Sequence, residues 1–347
     1  MSSDNEILEK ARYYSRFLKN IFFLNLNVRK NSKVLIFSDG KKDEVNKLLS
    51  LSYYIAAKKI GLKPILIFSN SGDFSSLERN VYLLGEKSSV ILNLTNKLKK
   101  EFVLLGTSFK RYCKKNNIKF ILTTSLGSLE MKYFHRFIKS LTIDYKKLRE
   151  NMLRFARNFT NAKTLFIKTK NGTKLKVNIF LKQPLISDGL FDFHKLGGNL
   201  PAGEVYFATK IRGVSGTVVI DGSIRLRKGT LLVNTPVIIT IENGMIKDIK
   251  GKKEAEALKN DLIEVYNKTK NKGVFMIGEV GIGFNPNAKI VGSTIIDEKS
   301  INTAHIAIGS NVNFGGSINA PIHLDQVFRY PEIYIDGKKI KLENYFN

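Results

Sequence analysis

Histidine is scarce in this chain, with four among 347 residues, and tryptophan is absent. A single cysteine, Cys113, excludes an intrachain disulfide and any cysteine-built metal cluster. No stretch approaches the roughly 18 consecutive apolar residues that a membrane-spanning helix needs, so no membrane partner is expected. The opening segment MSSDNEILEKARYYSRFLKN places acidic groups before apolar ones and has no apolar core segment. It does not read as a signal peptide, and the cytoplasm is the expected location. Acidic residues are few: 30, against 57 lysines and arginines, for a formal net charge of +27. Such an excess invites a nucleic-acid partner. The lysines are scattered along the chain, however, and no zinc-finger spacing, basic zipper or aromatic RNA-binding strand accompanies them. The charge reads as solvated surface able to steer an anionic substrate, and nucleic acid is not expected as a partner.

What is present is enough for a sizeable core: 43% hydrophobic residues, with 23 Phe and 13 Tyr. A length of 347 residues predicts two domains. Residues 1–161 alternate helical and strand patterns, with KVLIF, PILIF, SVILNL and KFILTT as buried strands between amphipathic segments. That βαβ rhythm predicts an α/β scaffold domain around a mostly parallel sheet. The Gly-rich dinucleotide fingerprint is missing, since SDGKKDE after the first strand carries one glycine. From Ala162 the pattern changes. Asn171-Gly172, Asp221-Gly222, Asn243-Gly244 and Asp336-Gly337 each join two strand-like runs, as type I′ hairpin turns would. One helix interrupts, with Ala255, Leu258, Leu262 and Val265 on its inner face. Residues 162–347 therefore predict an antiparallel, hairpin-rich α+β half.

Three segments of this half break the strand–turn pattern. GGNLPAGEVY carries Glu204, IGEVGIGFNPNA carries Glu279, and HIAIGSNVNFGGSINAPIHLD carries His305, His323 and Asp325. His323 and Asp325 are two apart, so on a strand both reach the same side. Three carboxylates and two imidazoles together suit one or two divalent ions, zinc, manganese, cobalt or iron. The basic residues Lys210, Arg212 and Lys289 lie near these segments in sequence and read as solvated surface.

The ordered set NLPAGEVY, GEVGIGFNPNA, TAHIAIGSN, GGSIN and HLD resembles the aminopeptidase T-like metallopeptidases over about residues 197 to 327. The resemblance implies two divalent ions per chain (zinc, cobalt or manganese), ligated by Glu204, Glu279, His305, His323 and Asp325. It also implies a homodimer that hydrolyses N-terminal residues from a peptide substrate through a metal-bridged hydroxide, with Glu204 and Glu279 in the catalytic centre. One position departs: the peptidases place a tyrosine seven residues after the first histidine, where this chain has Val312, and the nearest aromatic is Phe314. The same scaffold resembles ring-cleaving dihydroxypyridine dioxygenases, which hold one Fe(II). His305, His323 and Asp325 could then form a two-histidine, one-carboxylate triad. A third expectation is a non-catalytic, metal-stabilised binding protein.

Overall fold

The computed structural model describes residues 2–84, 88–99, 101–179, 182–192 and 195–346, with side chains from residue 5 onward. His194 lies outside the described residues. Contacts divide the chain into two compact units, one of residues 1–146 and 189–202, the other of 147–188 and 203–347. The change of unit falls ahead of position 161, where the sequence pattern shifts, and 189–202 returns to the first unit. No described helix is long and apolar enough to cross a membrane.

The first unit is the expected α/β layer. Its sheet runs Lys63–Phe68, Lys33–Ser38, Ser89–Asn93, Lys119–Thr123 and Gly197–Asn199 in spatial order, every pair parallel. Val34 to Phe37 and Val90 to Leu92 are fully buried, which is why these strands read as continuous apolar runs rather than alternations. Asp43 and Ser108 start the helices Glu44–Lys59 and Phe109–Lys115 by accepting the backbone N–H of Asn46 and Arg111. The Gly-Gly of the first sequence motif is a strand of this sheet and is not part of the cluster formed by Glu204.

Two seven-stranded antiparallel sheets build the second unit. In one, the strands run Met245–Lys250, Val237–Glu242, Val214–Ile220, Lys174–Asn178, Thr164–Lys168, Glu332–Ile335 and Lys338–Ile340. Asn243-Gly244 and Asp336-Gly337 turn two of its hairpins with positive φ at both residues, as expected. Asp221-Gly222 behaves differently. It carries the chain from Val214–Ile220 in this sheet to Ser223–Leu226 in the other, so it is no hairpin. Asp221 accepts the Arg329 N–H at 2.8 Å, and Gly222 donates its N–H to the Val327 carbonyl at 3.0 Å. Those long-range bonds override the local turn preference. The helix Lys253–Thr269 buries Ala255, Leu258, Leu262 and Val265 as its spacing predicts.

The other sheet runs Gly229–Leu232, Ser223–Leu226, His323–Arg329, Thr303–Gly309, Ile277–Gly283, Glu204–Ala208 and Leu185–Ser187. On one face Val205, Phe207, Val280, Ile282, Ile306, Ile308, Leu324 and Phe328 are buried. The ring of Phe207 packs 4.8 Å from that of Phe159. The opposite face of its four central strands carries the polar groups.

Candidate metal centre

All five residues singled out in the sequence lie in strands of this one sheet, as the two-residue spacing of His323 and Asp325 requires for that pair. The period of two places Glu204, Tyr206 and Ala208 on one side of their strand. Neighbouring strands add Glu279, Gly281 and Gly283, then His305, Ala307 and Gly309, then His323 and Asp325. Register aligns Tyr206 with Gly281 and His305, and Glu279 with Ala307 and Asp325. Glycine and alanine therefore occupy most of the positions between the polar side chains, and the small residues leave a hollow for the large ones. Gly281 is obligatory there, because a Cβ would stand 2.3 Å from Cε1 of His305.

Within the hollow, His305 Nε2 lies 3.2 Å from Glu279 Oε1 and 3.7 Å from Glu204 Oε2. His323 Nε2 lies 3.3 Å from Asp325 Oδ1 and 3.5 Å from Glu279 Oε2. His323 donates from Nδ1 to the Ser310 carbonyl at 2.8 Å, which fixes the tautomer and turns Nε2 toward the carboxylates. Among the described residues, two sets of three donor atoms lie within 4.8 Å of one another: Glu204, Glu279 and His305, and Glu279, His323 and Asp325. Glu279 belongs to both. Of the triad His305, His323 and Asp325 expected for a single iron, His323 and Asp325 fall in one set, which Glu279 completes, and His305 falls in the other.

Electrostatics follow from this crowding. Burial pushes the Glu279 carboxyl up, partly offset by the His305 hydrogen bond and both imidazoles. Burial works against a charged His305 ring, yet Glu279, Glu204 and Glu298 together push its pKa up to about 9. His323 rises to about 10, because Asp325 and Glu279 outweigh its burial. Asp325, also opposed by burial, is held far below the ordinary carboxylate range by His323, His305 and Lys299. Without a metal, the two rings hold protons that neutralise the carboxylates. An ion would take their place. Mixed imidazole and carboxylate donors at this spacing fit a divalent transition metal, and Nδ1 of His305 is buried with no hydrogen-bond partner among the described residues. The residues present fit a metal-binding centre.

Sequence reasoning missed Lys299, Glu298 and Tyr206 here. Lys299, with 1% of its side chain exposed, places Nζ 2.5 Å from Glu204 Oε1 and also binds the Glu298 carboxylate. Burial pushes Glu298 up to about 8 against the pull of Lys299. The signal was available as three consecutive charges, Asp297-Glu298-Lys299, directly after the uncharged run VGSTII. Tyr206 stands beside Phe314, which the sequence offered only as the aromatic nearest Val312. Phe314 meets the His323 ring edge-on at 5.7 Å and the Tyr206 ring at 5.6 Å. Val312 is 45% exposed and carries no hydroxyl, so this position supplies no phenol to the centre. Arg212 and Lys289 are exposed, as expected.

A family model described as NicX: 2,5-dihydroxypyridine 5,6-dioxygenase matches residues 137–344, more than half of the chain and all of the centre. The 2,5-dihydroxypyridine 5,6-dioxygenase of Pseudomonas putida KT2440 is 24% identical over 190 residues, covering 52% of this chain and 53% of the relative. The chain thus matches about half the length of that curated relative. Among solved structures, the 2,5-dihydroxypyridine dioxygenase of Pseudomonas putida KT2440 superposes with a TM-score of 0.70 at 15% identity, covering 95% of each chain. AmpT of Thermus thermophilus gives 0.59 at 15% identity, covering 95% of this chain and 97% of AmpT. The aminopeptidase T-like fold is therefore shared. The activity implied by that likeness is corrected: the family model and the curated relative name a ring-cleaving dioxygenase, not a hydrolase, aminopeptidase or metalloprotease. The exposed Val312, where the peptidases have tyrosine, is the local counterpart of that correction.

Proposed function

Because the chain belongs to the NicX family of 2,5-dihydroxypyridine 5,6-dioxygenases, we propose that it is a metal-dependent enzyme that opens a hydroxylated pyridine-type ring with dioxygen. The observation that carries this reading is the aromatic wall beside the centre. Phe314 packs against His323 and Tyr206 packs against Phe314, and the two rings offer faces and edges to a flat substrate, where a peptide would need polar anchors. Glu279, His323 and Asp325 would hold a ferrous ion, with His305 and Glu204 beside it. Iron, when bound, supplies the one-electron chemistry through which dioxygen reacts with a closed-shell ring.

The chain's own groups bind and orient. The Ser310 carbonyl aims His323, and Asp325 and Glu279 fix the other side of that ring. Burial, reinforced by the Glu204 and Glu279 charges, keeps the Tyr206 phenol protonated, so it is a hydrogen-bond donor for a hydroxyl or oxyanion on the ring. The loop that bears Phe314 is tied down by Asn311. Its Nδ2 donates to the Thr209 and Gly278 carbonyls at 3.0 and 2.9 Å, and its Oδ1 accepts the Ile318 N–H at 2.8 Å.

The test is oxygen uptake by protein loaded anaerobically with Fe(II) and mixed with 2,5-dihydroxypyridine. The expected result is one dioxygen consumed per ring lost, followed by the fall in ring absorbance. Iron-loaded protein that consumes no oxygen with this diol or with ring-substituted hydroxypyridines overturns the proposal.

A further inference from the structure

A buried lysine stands inside the carboxylate cluster. We propose that the Lys299 ammonium is a built-in cation that claims the Glu204–Glu298 half of the cluster and limits the centre to one divalent ion, at Glu279, His323 and Asp325. The inference rests on the proposed metal centre, but not on ring cleavage.

The geometry comes first. An ammonium removed from water is costly unless carboxylates surround it. Lys299 Nζ has two, Glu204 Oε1 at 2.5 Å and Glu298. A metal using the set Glu204, Glu279 and His305 would have to share Glu204 with that ammonium. The set Glu279, His323 and Asp325 contains no residue bonded to Lys299.

Charge balance gives the same answer. Glu204, Glu279, Glu298 and Asp325 bring four carboxylates to the hollow. Lys299 opposes them, and so does Arg225, which is 3% exposed and faces the charges of Asp325 and Glu298. At most two negative charges remain, fewer when Glu298 carries its proton, so one divalent ion already meets them. A second ion would leave the buried centre with an excess of at least two positive charges beside a fixed ammonium. Such uncompensated buried charge is strongly disfavoured. The aminopeptidase-like donor set is present in this chain, but the cation at one end of it is covalently attached.

The readout is metal stoichiometry, independent of activity. Protein stripped with chelator is dialysed against excess Mn(II) or Zn(II) and analysed for metal per chain. The wild type is expected to hold one ion. Lys299→Met frees Glu204 and Glu298 and should hold two, with a second event in calorimetric titration, while Lys299→Arg keeps one. Two ions in the wild type, or one ion in a Lys299→Met variant with wild-type circular dichroism, overturns the proposal. Should Lys299→Met fail to fold, Glu204→Gln decides. Its single ion should bind within about threefold of wild type, because Glu204 serves the lysine, whereas a loss of ~100-fold or more would make Glu204 a ligand and refute the assignment. One ion without oxygen uptake would refute ring cleavage and leave this assignment standing.

Discussion

Replacing Gly281 by alanine perturbs the centre at a residue that carries no functional group. Gly281 lies between Tyr206 and His305 in register, and the new methyl would stand 2.3 Å from Cε1 and 2.4 Å from Nε2 of the imidazole. Carbon contacts settle near ~3.5–4.0 Å, so the ring or the strand must shift by about 1 Å or more. His305 is fully buried and its Nε2 sits 3.2 Å from Glu279, so the shift breaks a charge-assisted contact. Overpacking of this kind costs about 1–3 kcal/mol, and loss of a hydrogen bond between charged groups a further ~1.5–3 kcal/mol. A loss near 4 kcal/mol, at ~2–4 °C per kcal/mol for a unit of this size, lowers Tm by roughly 8–16 °C. Metal affinity should fall by ~10–100-fold, because His305 positions Glu279, which belongs to both donor sets. Thermal unfolding of the metal-free protein and a metal titration measure the two effects. A Tm within about 2 °C of wild type together with unchanged affinity would refute the packing argument.

Further outcomes follow from the same geometry. Asn311→Ala removes three hydrogen bonds from a fully buried side chain; it should destabilise by about 2–4 kcal/mol and speed amide exchange over residues 310–318. Phe314→Ala removes the ring against His323 and Tyr206. It should raise KM for the ring substrate by roughly 2–12-fold in the oxygen-uptake assay, the equivalent of one aromatic pair. Asp325→Asn should weaken metal binding by ~100-fold or more, read by titration with Mn(II). In the metal-free chain the folded-state values of His305 and His323 are raised to about 9 and about 10 from 6.5. Their stabilising contribution is therefore full below pH 6.5 and disappears as pH rises through those two values. Metal-free protein should lose Tm between pH 7 and 10 more steeply than metal-loaded protein, and metal uptake at pH 7 should release protons, visible as a buffer-dependent binding enthalpy.

How much could be read in advance differs by element. The strands Lys33–Ser38 and Ser89–Asn93 declared themselves by continuous apolar runs, since a sheet covered on both faces has no polar side. Asn243-Gly244 and Asp336-Gly337 declared their hairpins, since positive φ at two successive residues is a local demand. Glu204, Glu279, His305, His323 and Asp325 were legible as polar residues among glycines. Why they sit among glycines was not legible: a Cβ at Gly281 collides with a residue 24 positions away. Asp221-Gly222 has the same local chemistry as the hairpin turns and does something else, because Arg329 and Val327 supply its partners from the far end of the unit.

The sequence by itself determined the residue types in the cluster, the change from parallel to antiparallel construction, and the scarcity of thiols and imidazoles that makes carboxylates the majority of the cluster. Tertiary structure decided which of those groups come within reach of one another. Glu279 falls between His305 and His323 because strands pair across the sheet, and pairing is a long-range choice that no local pattern encodes. It also decided that Lys299 points inward. A lysine in a chain with a net charge of +27 reads as solvated, and only the two buried carboxylates it meets on folding make its burial tolerable.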